Sequence, residues 1–289
     1  MENYKYNINK KIVKNPLRFI NKITISNSNF NSMFNEMSDS SFDEIVKLIK
    51  DNNYPFIELI DLNQDEVEKI INASKDYLEV LELFRSDANL SMLNNCIHLK
   101  EVHLKHLKTT NSLWDLKNNK NIQTLVIFNC PSLKNIEGIK ESSLINLEIK
   151  KDYQIVPEPL EINISDFHIF STLKNLKNLT IYILENENKK EDLKALSQLT
   201  NLENLKLPRT YFTFNEFAWL KSRLTNTSGI GAIYHIGKDP ANEKVYSIII
   251  GKDKPEILYY DDVDYKIYND EYDKLIAKYI NLSIDELYE

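Results

Sequence analysis

Apolar residues recur along this chain in one spacing: apolar, two others, apolar, one other, apolar. The copies are Ile57, Ile60, Leu62; Leu78, Leu81, Leu83; Leu99, Val102, Leu104; Ile122, Leu125, Ile127; Leu144, Leu147, Ile149; Leu176, Leu179, Ile181; and Leu202, Leu205, Leu207. A founding copy is read at Ile20, Ile23, Ile25, and the starts lie 37, 21, 21, 23, 22, 32 and 26 residues apart. The last two apolar positions of each copy are two residues apart, so both point to one side of a short strand. The usual interval leaves room for a turn, a short helical return and a second turn. A strand that returns this way to a parallel neighbour builds a solenoid, each coil burying its apolar face only against the adjacent coils. Leu90 and Leu93, Leu113 and Leu116, and Leu133, Ile136 and Ile139 supply apolar residues for the returns.

Other stretches change period. Phe42, Ile45, Val46, Leu48 and Ile49 follow a capping-box pair, Ser41 and Glu44, and predict a helix that covers the first coil. Val67, Ile70 and Ile71 predict a second helix. Thr213 and Glu216 form another capping box, ahead of Phe214, Phe217, Leu220 and Leu224. This is read as the last return helix, with Trp219 packed rather than offered to a ligand. Pro157 and Pro159 predict an extended loop in the longest interval between the later repeats. Gly229, Gly231, Gly237 and Gly251 then mark tight turns. AIYHIG and KVYSIIIG read as strands joined by GKDPANEK, PEILYY as a third strand, and NDEYDKLIAKYI as a helix with Leu275, Ile276 and Tyr279 inward. Residues 1–53 are accordingly expected to be an N-terminal cap with the first repeat strand, 54–225 the repeats, and 226–289 a small α+β unit docked on them.

The repeat resembles the leucine-rich repeat, whose consensus is L-x-x-L-x-L-x-x-N/C-x-L. Ile122 to Cys130, IQTLVIFNC, followed by Leu133, is the best copy. Cys130 falls on the Asn/Cys position, where a small polar group bonds the turning backbone. Ser86 and Asp152 match that position in two other copies, whereas Leu107 cannot make the bond. The resemblance spans roughly residues 18 to 225. It implies an α/β leucine-rich-repeat solenoid, with a parallel sheet on the concave side, helices or turns on the convex side, a helical N-terminal cap and a small C-terminal α+β unit. Such a scaffold serves many ends, so the resemblance speaks to fold and not to a particular activity.

Composition narrows the chemistry. Of 289 residues, 42% are hydrophobic, enough for a continuous core, and the formal net charge is -7. An acidic chain is a poor tracker of phosphate backbones, so nucleic acid is not an expected partner. No apolar run reaches the roughly 20 residues of a membrane helix, and the opening MENYKYNINKKIVKN has no signal-peptide core. With only Cys96 and Cys130, the chain reads as cytoplasmic, monomeric and free of disulfides. No catalytic or metal motif emerges. Gly229-Ile230-Gly231 is too short for a dinucleotide fingerprint. His103 and His106 are expected on nearly opposite faces, and Cys96 reads as a buried structural thiol. Asp261, Asp262, Asp264, Asp270, Glu271 and Asp273 lack calcium-loop spacing. Residues 223–289 hold 13 acidic and 8 basic residues. With Tyr259, Tyr260, Tyr265, Tyr268 and Tyr272 interleaved, they offer an acidic aromatic surface to a basic partner.

The repeat gives a sharper expectation. The residues between and beside the last two apolar positions face the open side of the sheet. They form a middle row (Asp61, Glu82, His103, Val126, Glu148, Thr180, Lys206), an outward row (Asn63, Phe84, Lys105, Phe128, Lys150, Tyr182, Pro208) and a third row (Leu59, Val80, Glu101, Thr124, Asn146, Asn178, Asn204). Phe84, Phe128 and Tyr182 are aromatics where the sheet does not need them, which is the composition of a protein-binding patch. Glu82, Glu101, His103, Lys105, Glu148 and Lys150 would supply polar selectivity. The expected function is a non-catalytic protein-interaction module without cofactor or metal, whose partner is another protein, with basic proteins among the candidates. Two alternatives stand beside it: an immunity or antitoxin-like binder of a basic toxin, and an enzyme whose C-terminal unit acts through His235 and the Asp261–Asp264 cluster.

Overall fold

The computed structural model describes residues 6–15, 18–27, 37–38, 41–86, 88–151, 167–182, 189–238, 243–254, 258–259 and 266–289. The chain forms two compact units, Met1–Ile164 and Ser165–Glu289.

The first unit starts with β1 (Tyr6–Asn15) and β2 (Arg18–Asn27), an antiparallel pair, and β3 (Met37–Ser38), which pairs with the outer edge of β1. Helix α1 (Phe42–Asn52) follows, with the expected capping box between Ser41 and Glu44. Next come β4 (Phe56–Ile60), α2 (Gln64–Ser74), β5 (Val80–Phe84), β6 (Glu101–Lys105), β7 (Thr124–Phe128) and β8 (Asn146–Lys150). Strands β2, β4, β5, β6, β7 and β8 are parallel and pair in chain order without a register shift. The returns are helix α2 and then short 3-10 turns at Leu90–Asn95, Leu116–Asn118 and Glu137–Ile139. The coil that holds α2 is 24 residues long, and those with 3-10 returns are 21 to 23. This is the leucine-rich-repeat architecture that the spacing implies.

The core is a stack of identical rows. Ile23, Ile57, Leu81, Val102, Leu125 and Leu147 stand opposite one another in register, as do Ile25, Leu59, Leu83, Leu104, Ile127 and Ile149, and all are buried. The first coil differs from the sequence reading. Ile57 pairs with Leu81 and Leu59 with Leu83, so that copy is Tyr54, Ile57, Leu59 and not Ile57, Ile60, Leu62. An aromatic ring, 8% exposed, fills the first apolar position. Leu59 is therefore core, and Glu58 and Ile60 take the open-face places expected for Asp61 and Asn63. The founding copy lies in β2, and the N-terminal segment adds β1, antiparallel to it, which the apolar spacing did not predict.

Just past β4, β5, β6 and β7 the chain turns through a left-handed residue: Asp61, Arg85, His106 and Asn129, with φ from 50 to 56°. Each donates its N–H to the neighbouring coil, as in Arg85 to the Lys105 carbonyl at 2.9 Å. Next comes the Asn/Cys position. The Ser86 hydroxyl accepts from the Leu62 N–H (3.0 Å) and donates to the Leu59 carbonyl (3.2 Å). The Cys130 thiol lies 3.4 Å from the Leu104 carbonyl in the same role. Leu107 fills the place with buried apolar bulk, and Asp152 lies outside the described residues. On the return side, buried Asn119 donates to the Leu93 and Cys96 carbonyls (both 2.8 Å) and accepts from the Trp114 indole at 2.6 Å.

The second unit carries the repeat in β9 (Asn178–Ile181) and β10 (Asn204–Lys206), paired in parallel and joined through α3 (Lys189–Ser197). Helix α4 (Phe214–Arg223) has the expected Thr213–Glu216 capping box and buries Phe214, Phe217 and Leu220. Trp219 is 4% exposed and donates to the Leu282 carbonyl at 2.9 Å, so it is packing. Ser228 pairs with Asn204, and Gly229 (φ 87°) then turns the chain away, where a side chain would strike the Leu205 carbonyl. Strands β11 (Ile233–Lys238), β12 (Val245–Ile249) and β13 (Leu258–Tyr259) form an antiparallel sheet, followed by α5 (Lys266–Tyr279) and α6 (Ile284–Leu287). Tyr272 does not belong to a surface as expected: it is 2% exposed, and its hydroxyl donates to the Ile230 carbonyl at 2.8 Å. The Pro157–Pro159 loop and residues 261–265 lie outside the described residues.

Candidate functional site

In the first unit the pleat separates core from open face. Along β5 to β8, positions two and four are buried, whereas positions one, three and five are half-buried except for Val80. Because all the strands run the same way, equivalent positions form straight rows across them. The fifth row reads Ile60, Phe84, Lys105, Phe128, Lys150, and the third reads Glu58, Glu82, His103, Val126, Glu148. Eight of the nine expected site residues therefore share one sheet face: Phe84, Phe128, Glu82, Glu101, His103, Lys105, Glu148 and Lys150. Tyr182 belongs to the second unit, where its hydroxyl is 2.9 Å from that of Tyr234.

The aromatic pair is not isolated. His106 places its imidazole 5.1 Å from the Phe84 ring and 5.3 Å from the Phe128 ring, both measured between centroids. Three consecutive coils thus present one aromatic column. Strand alternation alone sets His103 and His106 on nearly opposite faces. The left-handed backbone at His106 breaks that alternation and brings its ring to the edge of the open face. The Arg85 guanidinium lies 4.9 Å from the centre of the Phe84 ring and reaches Asp61 at 2.6 Å. Tilted and edge-to-face rings and a guanidinium bury apolar area at little entropic cost, because each side chain is already held.

Charges on this face pair with one another. Lys22 meets Glu58 at 2.8 Å, and the Thr24 hydroxyl donates to the same carboxylate. Lys105 meets Glu82 at 2.5 Å, His103 meets Glu101 at 2.6 Å, and Lys150 meets Glu148 at 2.8 Å. Their distribution is uneven. Rows one and three hold Glu58, Glu82, Glu101 and Glu148 against Lys22. The fifth row and the turn residues after it hold Arg85, Lys105 and Lys150 against Asp61. The rows neutralise each other at contact distance, because Lys105 pairs with Glu82, Lys150 with Glu148 and Arg85 with Asp61.

Elsewhere, candidate chemistry is dispersed. Both cysteines are buried and unbridged. Burial pushes the Cys96 thiol up to about 12 and the Cys130 thiol up to about 11. His235 is exposed on β11, 6.2 Å from the Tyr246 ring. Among the described residues, no group of three His, Cys, Asp or Glu side chains is placed to hold a metal ion, and no helix is long and apolar enough to cross a membrane.

No protein-family model matches the sequence, and no curated protein matches it. Among solved structures, the crystal structure of an internalin from Listeria monocytogenes is similar at 16% identity and a TM-score of 0.26. The similarity covers 61% of this chain and 65% of the internalin chain. Strand register, the repeated left-handed turns and the hydrogen bonds at the Asn/Cys position define the repeat fold.

Proposed function

We propose that this chain is a non-catalytic protein-interaction module of the cytoplasm that binds another protein on the open sheet face of its first unit. One observation carries the reading: Phe84, His106 and Phe128 form an aromatic column on the side of the sheet that the core does not use. A solenoid coil needs apolar residues on its core side alone, so rings on the other face are spent on something besides folding. Ion pairs around the column fit the polar rim that surrounds an aromatic hot spot. The test is affinity capture from the native cell extract, with wild type against Phe84→Ala/Phe128→Ala and against Tyr182→Ala alone. Loss of one captured protein in the double variant, with unfolding midpoint and secondary structure retained, is the expected outcome. Capture that survives the double variant removes this face from the reading.

A further inference from the structure

Acid and base are not spread evenly along the chain. From Asn3 to Asn35 it holds Lys5, Lys10, Lys11, Lys14, Arg18 and Lys22 and no Asp or Glu, although the whole carries a net charge of -7. All of these cations but Lys5 lie on the antiparallel pair β1–β2. Strand β4, next to β2, adds one carboxylate, Glu58, which Lys22 already meets at 2.8 Å. Lys11 stands directly opposite Lys22, a juxtaposition of like charges that weakens a sheet. On its outer side β1 pairs with β3 only at Tyr6 and Asn7. Among the described residues, no strand lies against that side from Ile8 to Asn15. That stretch is about 27 Å long and presents backbone N–H and C=O groups to any strand added there.

We infer that the outer edge of β1 accepts an extended acidic peptide segment as an added strand, on a surface separate from the open face and its aromatic column. Backbone pairing sets the register of such a segment, and charge selects it. Alternation sets Lys10 and Lys14 on one face of β1 and Lys11 on the other. A strand laid along the edge therefore has cationic cross-strand neighbours on both of its faces, where carboxylates are favoured over lysines. The same lysines oppose β1 of a second copy, because pairing two identical edges sets cation beside cation. A nucleic acid or an anionic membrane would meet the positive charge but leave the row of peptide groups unmatched. Acidic residues elsewhere in the chain do not cancel the attraction, since ionic interactions fade over a Debye length of about 8 Å at physiological salt.

The probe is a labelled peptide of about eight residues, matched to the open stretch of β1, with glutamate at half of its positions and valine or threonine at the rest. It is titrated with the full chain by fluorescence anisotropy. Alongside run the same peptide with lysine for glutamate, the glutamate peptide methylated at every backbone nitrogen, and an oligothymidylate of matched length. Sedimentation with phosphatidylserine–phosphatidylcholine vesicles completes the set. The expected result is binding of the glutamate peptide at least about tenfold tighter than of any other probe. Lys10→Gln/Lys11→Gln/Lys14→Gln should weaken it by about tenfold or more. Lys108→Gln/Lys120→Gln/Lys134→Gln, an equal loss of charge at exposed positions on later coils, should leave it unchanged. Circular dichroism and the unfolding midpoint establish that each variant is folded, and Lys11→Gln/Lys14→Gln replaces the first triple variant if that one does not fold. Equal binding of the methylated peptide would mean charge without strand pairing, and equal binding of the lysine peptide would mean pairing without charge. Either result overturns the inference. So does equal or tighter binding of the oligonucleotide or the vesicles, equal weakening by the two triple variants, or self-association of the chain that displaces the peptide. Failure here leaves the open-face reading standing, since that rests on Phe84, His106 and Phe128.

Discussion

Ser86 and Cys130 occupy matched places in two coils, and each sits between a turning backbone and a carbonyl of the coil before it. Ser86 is the more consequential of the two, because it satisfies the Leu62 N–H inside the protein. A buried donor left without a partner costs about 1–3 kcal/mol, so Ser86→Ala should lower stability by about that amount in urea unfolding. Ser86→Cys should lower it less, since a thiol already fills the equivalent place at Cys130. Equal losses for both substitutions would mean that the hydrogen bond is not what Ser86 contributes. The same scale explains His106. Its left-handed φ of 56° sets its ring between two phenylalanines, a placement that alternation along a strand does not produce.

Elements close the second unit's apolar interior. Helix α4 begins at Thr213, whose hydroxyl accepts from the Glu216 N–H at 3.2 Å while the Glu216 carboxylate accepts from the Thr213 N–H at 2.7 Å. The helix buries Phe214, Phe217 and Leu220, and Trp219 ties it to the chain's end at Leu282. Glu216 also accepts from the Tyr288 hydroxyl. Removing the cap with Thr213→Ala should cost about 1 kcal/mol. Glu216→Ala should cost more, because it also leaves Tyr288 without its acceptor. Calorimetry of the two variants checks the order, and a smaller loss for Glu216→Ala would show that the Tyr288 contact adds nothing.

For the whole molecule, buried acids that ionise only at high pH set an alkaline limit. Burial raises Cys96 from its usual 9.0 to about 12 and Cys130 from 9.0 to about 11. Burial, with Asp76 adding to it, raises Tyr77 from 10.0 to about 12. Tyr211 and Tyr272 are pushed up further, both chiefly by burial. A folded pKa above the unfolded one means that the unfolded chain releases its protons first. The stability tied to these groups is therefore complete below about pH 9 and is lost as pH climbs through 9 to 12. The unfolding midpoint should hold steady near neutrality and fall progressively above pH 9. A flat profile to pH 11 would contradict the burial of these groups. Over the same neutral range both thiols should resist a thiol reagent until denaturant is added.

The coil spacing, the core rows, the capping boxes of α1 and α4 and the C-terminal strands and helix were legible in the sequence, because each follows from short-range periodicity or local hydrogen bonding. So was the face bearing Phe84, Lys105, Phe128 and Lys150, since alternation along a strand assigns sides once the period is known. The first coil was misplaced by three residues because Tyr54 stands where the pattern expects an aliphatic side chain, and Ile57, Ile60 and Leu62 imitate the spacing. Strand β1 carries no repeat signal, whereas β2, its antiparallel partner two residues further on, holds the founding copy Ile20, Ile23 and Ile25. Tertiary structure alone decided that His106 joins the aromatic column, that Tyr272 is core, and that the lysines of the open face pair with its carboxylates. These depend on left-handed turns and on register between coils, which bring residues more than 20 positions apart within contact distance.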